Sequence, residues 1–268
     1  MGYLTGKVSF ITGAGSGIAQ AAAARFAQEG AKVVIAEINP ELGRNTEKKV
    51  QDQGGDALFV QTDVTDHTSV QNAITQAQQH YGQLNVLFNC AGGSVAADAP
   101  VTEVDLSVWD HTIDLDLKGP FLCCRYGIPA LIEAGGGTIV NVASAAALQG
   151  NFPAHVYSTA KGGILSFTRA LAGAYSKHNI RANAICPGVI LTDRVKKRFG
   201  LNNPTQDQPG SDADSEKMPS ADNMGMQRYP FGVGMPKNIA AIALFLASEE
   251  SRMINGATIP ADGGLSAY

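Results

Sequence analysis

Near the start of the chain lies the stretch Val8-Ser9-Phe10-Ile11-Thr12-Gly13-Ala14-Gly15-Ser16-Gly17-Ile18-Ala19. Its first five residues are mostly apolar or β-branched, as in a buried strand, and residues 17–29 have the alanine-rich composition of a helix. Glycine lets the backbone of the turn approach a phosphate, which the N–H groups and the dipole at the helix start can bind. The stretch therefore predicts the first strand, turn and helix of a nucleotide-binding sheet.

The glycine-rich turn alone is weak evidence for a nucleotide. It does not match the pattern G-x-G-x-x-G, because Ile18 occupies the position of the last glycine. A tight strand-to-helix turn without a ligand is the alternative. Its place directly after the first predicted strand favours the cofactor interpretation, and the expected contacts are Gly13, Ser16, Gly17 and Ile18.

The rest of the chain alternates short β-branched runs with helical patterns. Strands are predicted at 8–12, 32–36, 57–61, 84–89, 138–142, 181–185 and 257–260. Helices are predicted at 17–29, 39–53, 66–81, 106–134, 153–178 and 236–247. No strand follows another through a hairpin, which predicts an α/β fold: a single domain over residues 1–268, with a doubly wound, Rossmann-type parallel sheet of seven strands and helices on both faces.

One polar segment interrupts this alternation. Residues 200–228 are rich in Asn, Pro, Gln, Asp and Ser and are long for a connection without secondary structure. Such a loop in a compact domain is usually a functional lid or a disordered insert. We expect residues 189–235 to form a substrate-binding loop within the single domain.

Composition excludes several classes of function. The net charge of −4 provides no basic field for nucleic acid or an anionic membrane. The chain begins without a secretory signal pattern and has no apolar run long enough to span a bilayer. The four cysteines lack the paired spacing of zinc or redox sites, so we expect reduced thiols, no metal and a cytoplasmic setting.

An acidic residue indicates which nicotinamide cofactor the chain uses. Glu37 ends the second strand, 20 residues after Gly17. A carboxylate there can accept hydrogen bonds from the adenosine ribose hydroxyls and would repel a 2′-phosphate. No Lys or Arg lies within residues 12–19, so NAD is favoured over NADP, although a solvated loop acid is the alternative. Asp63 and Val64, after the third strand, are placed to meet the adenine ring.

A tyrosine and a lysine carry the predicted chemistry. Tyr157 and Lys161 lie at i and i+4 on one helix, where an ammonium group would lower the pKa of the phenol and suit it to proton transfer. The spacing by itself proves little, because Tyr3 and Lys7 repeat it at the N-terminus. Ser144 strengthens the case, because it ends the fifth strand at the edge where ligands bind.

These motifs together resemble the classical short-chain dehydrogenase/reductase family over essentially the whole chain. The matching positions are the Gly13–Gly17 turn, Asn89-Cys90-Ala91-Gly92, the trio Ser144, Tyr157 and Lys161, and Pro187-Gly188 with Thr192. The resemblance implies cofactor contacts from Asn89, Ala91, Gly92, Tyr157, Lys161, Pro187, Gly188, Val189 and Thr192.

The resemblance also implies roles in the reaction. Tyr157 would take the alcohol proton as hydride leaves for the nicotinamide, Lys161 would bind the nicotinamide ribose and lower the tyrosine pKa, and Ser144 would orient the substrate oxygen. Enoyl reductases of the wider group have a longer spacing between tyrosine and lysine, so the resemblance favours alcohol and ketone chemistry. It further implies a homotetramer built from helices 106–134 and 153–178.

Two positions depart from the family pattern. Ala19 replaces the usual third glycine of the turn. Counting from Trp109, the helical asparagine of the family falls at Asp116, where it would support a helix distortion behind the lysine. An ionised Asp116 lacks amide donors and would raise the pKa of nearby cations, so we expect activity with an altered pH profile.

The substrate is the least determined part of the prediction. The expected contacts are Ser94, Ala145, Gln149, His155 and residues 189–230, although His155 is more simply a packing residue. Arg194, Lys196, Lys197 and Arg198 form either a solvated helix face or a site for an anionic group.

Three functions stay open at this point. The first is an NAD-dependent dehydrogenase of a polyol, sugar or cyclic secondary alcohol. The second is a 3-oxoacyl-type keto reductase. The third is a non-catalytic NAD-binding regulatory protein, which is disfavoured because such proteins usually lose the tyrosine and lysine.

Overall fold

The fold is a single parallel sheet covered by helices on both faces. The computed structural model describes residues 2–198 and 229–267; the loop predicted at 200–228 lies outside these ranges. Within them, seven strands form one sheet in the order β3-β2-β1-β4-β5-β6-β7, and every neighbouring pair is parallel. The strands are β1 Val8–Thr12, β2 Lys32–Glu37, β3 Asp56–Gln61, β4 Val86–Asn89, β5 Gly137–Val142, β6 Ile180–Pro187 and β7 Thr258–Ala261.

The helices connect these strands in the predicted order. They are α1 Gly17–Gln28, α2 Pro40–Asp52, α3 His67–Tyr81, α4 Leu106–Ile113, α5 Gly119–Glu133, α6 His155–Tyr175, α7 Asp193–Arg198 and α8 Pro236–Ala247. The prediction of one helix over 106–134 was incomplete, because a π-helical turn at Asp114–Lys118 separates α4 from α5. In such a turn the hydrogen bonds run from i to i−5, and that distortion is common at functional sites.

Apolar side chains on both faces hold the helices against the sheet. Phe26 on α1 is fully buried and lies 6.0 Å from the ring of Phe88 on β4. On the opposite face, Leu122 and Leu131 of α5 pack with Ile74 of α3. Burial of each such side chain contributes about 1.5–3 kcal/mol to the free energy of folding, so the helices on both faces of the sheet are held by the core. The helices therefore leave the sheet's carboxyl edge as the place for a ligand.

Ala19 fits this packing. It is 2% exposed and belongs to the cluster that α1 forms with the sheet and α8. The helix thus accommodates the methyl group that replaces the third glycine of the family pattern.

The strand order creates a crevice at the carboxyl edge. β1 lies between β2 and β4. The connections after β1 therefore run to one side of the sheet for β2 and β3, and to the other side for β4 and the strands that follow it. At such a switch point the connections diverge and leave room for a ligand. None of the helices in the described ranges is long and apolar enough to cross a membrane. The four cysteines, all within those ranges, form no disulfide.

Candidate active site

The glycine-rich turn after β1 is shaped for a close ligand. Gly13 and Gly17 have φ angles of 68° and 56°, a region that side chains with a β-carbon rarely adopt. A β-carbon on Gly13 would lie 2.9 Å from the Cα of Ala91, and one on Gly17 would lie 2.9 Å from Cγ2 of Thr192. Both positions therefore require glycine for space as well as for backbone conformation.

The start of α1 is free to bind an anion. Ser16 is the N-cap residue, but its side chain makes no capping hydrogen bond, and the first turn of the helix holds no acidic residue. The first N–H groups of a helix have no partner within the helix, and its dipole favours negative charge. The turn and helix therefore fit the pyrophosphate of a dinucleotide.

Glu37 holds this turn in place. Its Oε2 accepts a hydrogen bond of 3.0 Å from the amide of Gly15, and its Oε1 accepts one of 3.0 Å from the amide of Asn39. A β-carbon on Gly15 would lie 2.7 Å from Leu42 and 2.9 Å from the Glu37 side chain. The carboxylate is thus fixed beside the turn, at the carboxyl end of β2, where the sequence predicted it.

The turn is also tied to the loop after β4. The hydroxyl oxygen of Thr12 accepts hydrogen bonds from the amides of Cys90 (3.0 Å) and Ala91 (3.1 Å). The cofactor contact predicted for Asn89 stays a prediction, and its side chain also has a structural partner. That side chain is 2% exposed, and its Nδ2 donates to Oδ1 of Asn141 on β5 at 2.8 Å. Asn89 therefore joins two central strands through its Nδ2, while its Oδ1 is buried without a partner among the described residues.

The other predicted cofactor residues line the same edge. Asp63 accepts hydrogen bonds from the amide and hydroxyl of Thr65, and Val64 is buried directly after it. Pro187 ends β6, and a β-carbon on Gly188 would lie 2.9 Å from the Cα of Asp262. Together with Gly92, Ile18, Val189 and Thr192, these positions surround the carboxyl ends of the strands, and their contacts with a cofactor stay predictions.

Ser144, Tyr157 and Lys161 meet at the centre of this edge. Ser144 follows β5, and its oxygen accepts a hydrogen bond of 3.1 Å from the amide of Ala146. The Ser144 side chain also favours the phenolate form of Tyr157 and so lowers the pKa of that phenol. The Nζ of Lys161 lies 5.6 Å from the centre of the Tyr157 ring and donates to the carbonyl of Val142 at 3.0 Å. The three groups that the sequence predicted are therefore brought together.

Asp116 lies directly behind this trio, in the π-helical turn. Its Oδ1 is 2.9 Å from the Nζ of Lys161 and accepts a hydrogen bond of 2.9 Å from the amide of Gly93. Its Oδ2 is buried and has no partner among the described residues. The carboxylate thus links the lysine to the loop after β4, and the helix distortion that the resemblance implied is present.

The pKa values of the tyrosine and the lysine reflect this pairing. Burial disfavours the charge of Lys161, but Asp116 and Tyr157 favour it more strongly, so the pKa of Lys161 is raised. Burial also raises the pKa of Tyr157, against the lowering effect of Lys161, and Asp116 raises it further. Lys161 acts in the predicted direction, but the net pKa of Tyr157 lies above its ordinary value because burial and Asp116 outweigh it.

Comparison with known proteins agrees with this geometry. A family model described as enoyl-(acyl carrier protein) reductase matches residues 13–266. D-threitol dehydrogenase of Mycolicibacterium smegmatis is 35% identical over 97% of this chain and 93% of its own length. The chain belongs to the classical short-chain dehydrogenase/reductase family.

Two other relatives show the range of this family. The 3-oxoacyl-[acyl-carrier-protein] reductase FabG of Thermotoga maritima is 34% identical over 98% of both chains. The solved structure of a 7α-hydroxysteroid dehydrogenase, complexed with NADH and 7-oxo glycochenodeoxycholic acid, is similar with a TM-score of 0.84. It is 28% identical and covers 97% of this chain and 94% of that one. The chain is thus an oxidoreductase of a family that binds nicotinamide cofactors.

Sequence reasoning missed Asp98. In this dehydrogenase/reductase its Oδ2 accepts a hydrogen bond of 2.8 Å from the amide of Tyr157, and its Oδ1 accepts one of 3.2 Å from the amide of Val156. These amides lie in the first turn of α6 and lack partners within the helix. Ala154, the residue before α6, provides no side-chain cap. Asp98 therefore caps the catalytic helix from a distant loop, which no local pattern could reveal.

The predicted substrate contacts have different surroundings. Ser94 is half-buried, Ala145 is buried, and the Nε2 of Gln149 is buried without a partner among the described residues. His155 accepts a hydrogen bond of 3.0 Å from the amide of Val101 through its Nδ1. That bond fits the packing interpretation of His155, because it braces residues 95–101 against α6. Contacts with a substrate stay predictions for all four.

Proposed function

We propose that this chain is an NAD-dependent dehydrogenase of a secondary alcohol, with a polyol, sugar or cyclic alcohol as substrate. One observation carries the proposal: the Lys161 ammonium lies 5.6 Å from the centre of the Tyr157 ring, and Lys161 and Ser144 both favour the phenolate, at the sheet edge that also holds a glycine-rich turn fit for a dinucleotide. A substrate oxygen placed between Ser144 and Tyr157 would meet a donor and a proton acceptor together. This is the arrangement that alcohol oxidation requires.

Each residue of the trio has a separate task. A bound nicotinamide supplies the hydride acceptor. The Tyr157 phenolate takes the hydroxyl proton of the substrate, and the Ser144 hydroxyl donates to the same oxygen and orients it. The buried Lys161 ammonium lowers the pKa of Tyr157, while Asp116 keeps that ammonium charged and in position. In ketone reduction the same groups act in reverse, with Tyr157 as the proton donor.

The preference for NAD rests on Glu37. Its carboxylate is held by the amides of Gly15 and Asn39 at the end of β2 and can accept from ribose hydroxyls. A 2′-phosphate at this place would meet a negative charge whose position is fixed. Residues 12–19 supply no cation to offset that repulsion.

A 3-oxoacyl-type keto reductase is the second candidate. It is supported by the 34% identity with the reductase of Thermotoga maritima. Enoyl reduction, which the description of the matching family model mentions, is disfavoured because Tyr157 and Lys161 are four residues apart. The retained trio also disfavours a regulatory protein without turnover.

The test is a substrate panel assayed with NAD and NADP in parallel. We expect tyrosine-dependent reduction of NAD by at least one polyol, sugar or cyclic alcohol, and little turnover with NADP. Oxidation of NADH by acetoacetyl thioesters but not by ketoses or cyclic ketones would favour the second candidate. Reduction of crotonyl thioesters, or no turnover of any substrate that Tyr157→Phe abolishes, would contradict the proposal.

We also propose a homotetramer built from α4, α5 and α6. Large apolar side chains on α4 and α5 are exposed: Leu106 is 77%, Trp109 44% and Phe121 47% accessible. Phe121 lies 5.5 Å from the ring of Phe167 on α6, so these helices form one continuous face. Light scattering after gel filtration should give four times the monomer mass, and Phe121→Glu should lower it; a monomeric wild-type protein would contradict this assembly.

A further inference from the structure

The basic residues of α7 divide between two sides of the helix. Arg194 and Arg198 are four residues apart and share one face. The Nη1 of Arg194 donates to the carbonyl of Gly92 at 3.2 Å, and the Nη1 of Arg198 donates to the hydroxyl of Ser94 at 3.3 Å. Lys196 instead lines a separate cavity beside α1. The two arginines therefore cover the loop after β4. The sequence alone left open whether the basic residues of this helix face solvent or a ligand site.

Two glycines of this loop, Gly92 and Gly93, lie between the Arg194 guanidinium and the Lys161 ammonium. A β-carbon on Gly93 would collide with the Arg194 guanidinium. One on Gly92 would collide with Asp116 and lie 3.5 Å from the Nζ of Lys161. The absence of side chains at both glycines lets the guanidinium lie close to the reaction centre. Its charge acts on Tyr157 and lowers the pKa of that phenol, against the larger effect of burial.

Among the described residues, Arg194 differs from Lys161 in forming no ion pair with a carboxylate. Lys161 is paired with Asp116, whereas neither Arg194 nor Arg198 forms an ion pair within residues 2–198 and 229–267. Both arginines are exposed, and within residues 2–198 and 229–267 the Arg194 guanidinium uses one of its five N–H groups, in the hydrogen bond to Gly92. A guanidinium fork matches the two oxygens of a carboxylate or phosphate.

From these contacts we propose that Arg194 and Arg198 form an oxyanion subsite next to Tyr157, so that the substrate carries a carboxylate or phosphate in addition to its secondary alcohol. The inference rests on the proposed function and narrows its substrate class to hydroxy acids and phosphorylated polyols or sugars. The alcohol oxygen of the substrate lies between Ser144 and Tyr157, and its carboxylate or phosphate binds the two arginines of α7.

The test compares matched substrates that differ only in charge. The pairs are hydroxy acids with their methyl esters, and sugar or polyol phosphates with the free sugars or polyols. We expect the charged member of the productive pair to have the higher kcat/KM. Arg194→Met should lower the ratio of the charged member's kcat/KM to the neutral member's by about 10- to 100-fold, through KM. The loss of its effect on the pKa of Tyr157 acts on both members and cancels in this ratio. Arg198→Met should act in the same direction more weakly, and Lys197→Met, exposed on the same helix, is the control.

Two further measurements distinguish the possible outcomes. The affinity for NADH, measured by fluorescence, should not change in Arg194→Met. If it falls and both members of each pair lose activity equally, the arginine serves the cofactor pyrophosphate and the proposal is wrong. Calorimetric binding of the keto products to the Tyr157→Phe enzyme with NADH tests the subsite without turnover. If the charged and neutral keto products bind with equal affinity, the oxyanion subsite is disproved. Absence of turnover in the wild type would contradict only the proposed function.

Discussion

The Nζ of Lys161 and the Oδ1 of Asp116 lie 2.9 Å apart, with both side chains almost fully buried. The pair places a negative charge behind Tyr157, the proposed proton-transferring residue, and Asp116 raises the pKa of that tyrosine. A neutral asparagine, which the family resemblance implies at this position, would not have that effect. We therefore expect the aspartate to change the pH range in which the tyrosine transfers a proton, while its contact with Lys161 holds the lysine in place.

Asp116→Asn should shift the pH profile of alcohol oxidation towards acid. Oxidation needs the Tyr157 phenolate, so the rate rises as pH passes the tyrosine pKa. Removal of the Asp116 charge removes a contribution that raises this pKa, so the rising limb moves to lower pH. Asparagine can still accept from Gly93 through its amide oxygen. The measurement is kcat/KM against pH. The control is Asp114→Asn, because Asp114 pairs with the exposed Lys118, and it should leave the profile unchanged. Coincident profiles for Asp116→Asn and the wild type would contradict the prediction.

Tyr157→Phe should lower kcat by roughly 10²- to 10⁴-fold, because it removes the group that takes the substrate proton. Binding of the reduced cofactor should be retained, since the ring of residue 157 and Lys161 stay. Stopped-flow or steady-state reduction of NAD measures the first effect, and fluorescence titration measures the second. Tyr3→Phe is the matched control, because Tyr3 and Lys7 have the same spacing but Tyr3 is 58% exposed at the N-terminus. A loss of similar size in both variants would disprove the assignment.

Glu37→Gln should reduce the preference for NAD over NADP by about tenfold or more. The amide oxygen of glutamine can still accept from Gly15, which keeps the glycine turn in shape, while the hydrogen bond from Asn39 and the charge that repels a 2′-phosphate are lost. The ratio of kcat/KM values for the two cofactors is the measurement. Glu41→Gln, in the first turn of α2, is the control and should leave the ratio unchanged. An unaltered ratio in Glu37→Gln would show that another feature selects the cofactor.

The sequence predicted those parts of the fold and site that depend on local patterns. Apolar runs located all the strands in the described ranges to within about two residues, because strands buried on both faces must be apolar throughout. Ser144, Tyr157 and Lys161 were selected because Ser144 ends a predicted strand at the ligand edge of the sheet and the trio matches the family pattern; the spacing of tyrosine and lysine alone also occurs at Tyr3 and Lys7. Contacts between distant segments could not be predicted. The side chain of Asn89 points to Asn141, and Arg194 reaches Gly92, only because the sheet brings these segments together.

Asp98 is the clearest example of such a contact, and its removal gives the last prediction. Its carboxylate accepts hydrogen bonds from the amides of Val156 and Tyr157, which no residue next to α6 satisfies. Asp98→Ala should lower the free energy of unfolding by about 1–2 kcal/mol, as expected for the loss of a helix cap. It should also lower kcat by about tenfold, because Tyr157 lies in the turn that is released and proton transfer depends on its position.

The two effects can be separated with a second cap of the same chemistry. Asp105 caps α4 by accepting from the amide of Ser107 at 2.7 Å. Asp105→Ala should lose comparable stability in denaturant unfolding but keep kcat. Asp98→Asn, which retains an acceptor oxygen, should recover part of both losses. If Asp98→Ala keeps kcat at temperatures where it is fully folded, Asp98 stabilises the helix without positioning Tyr157. A loss of kcat that Asp98→Asn restores and Asp105→Ala does not share would identify Asp98 as the residue that holds the tyrosine in place.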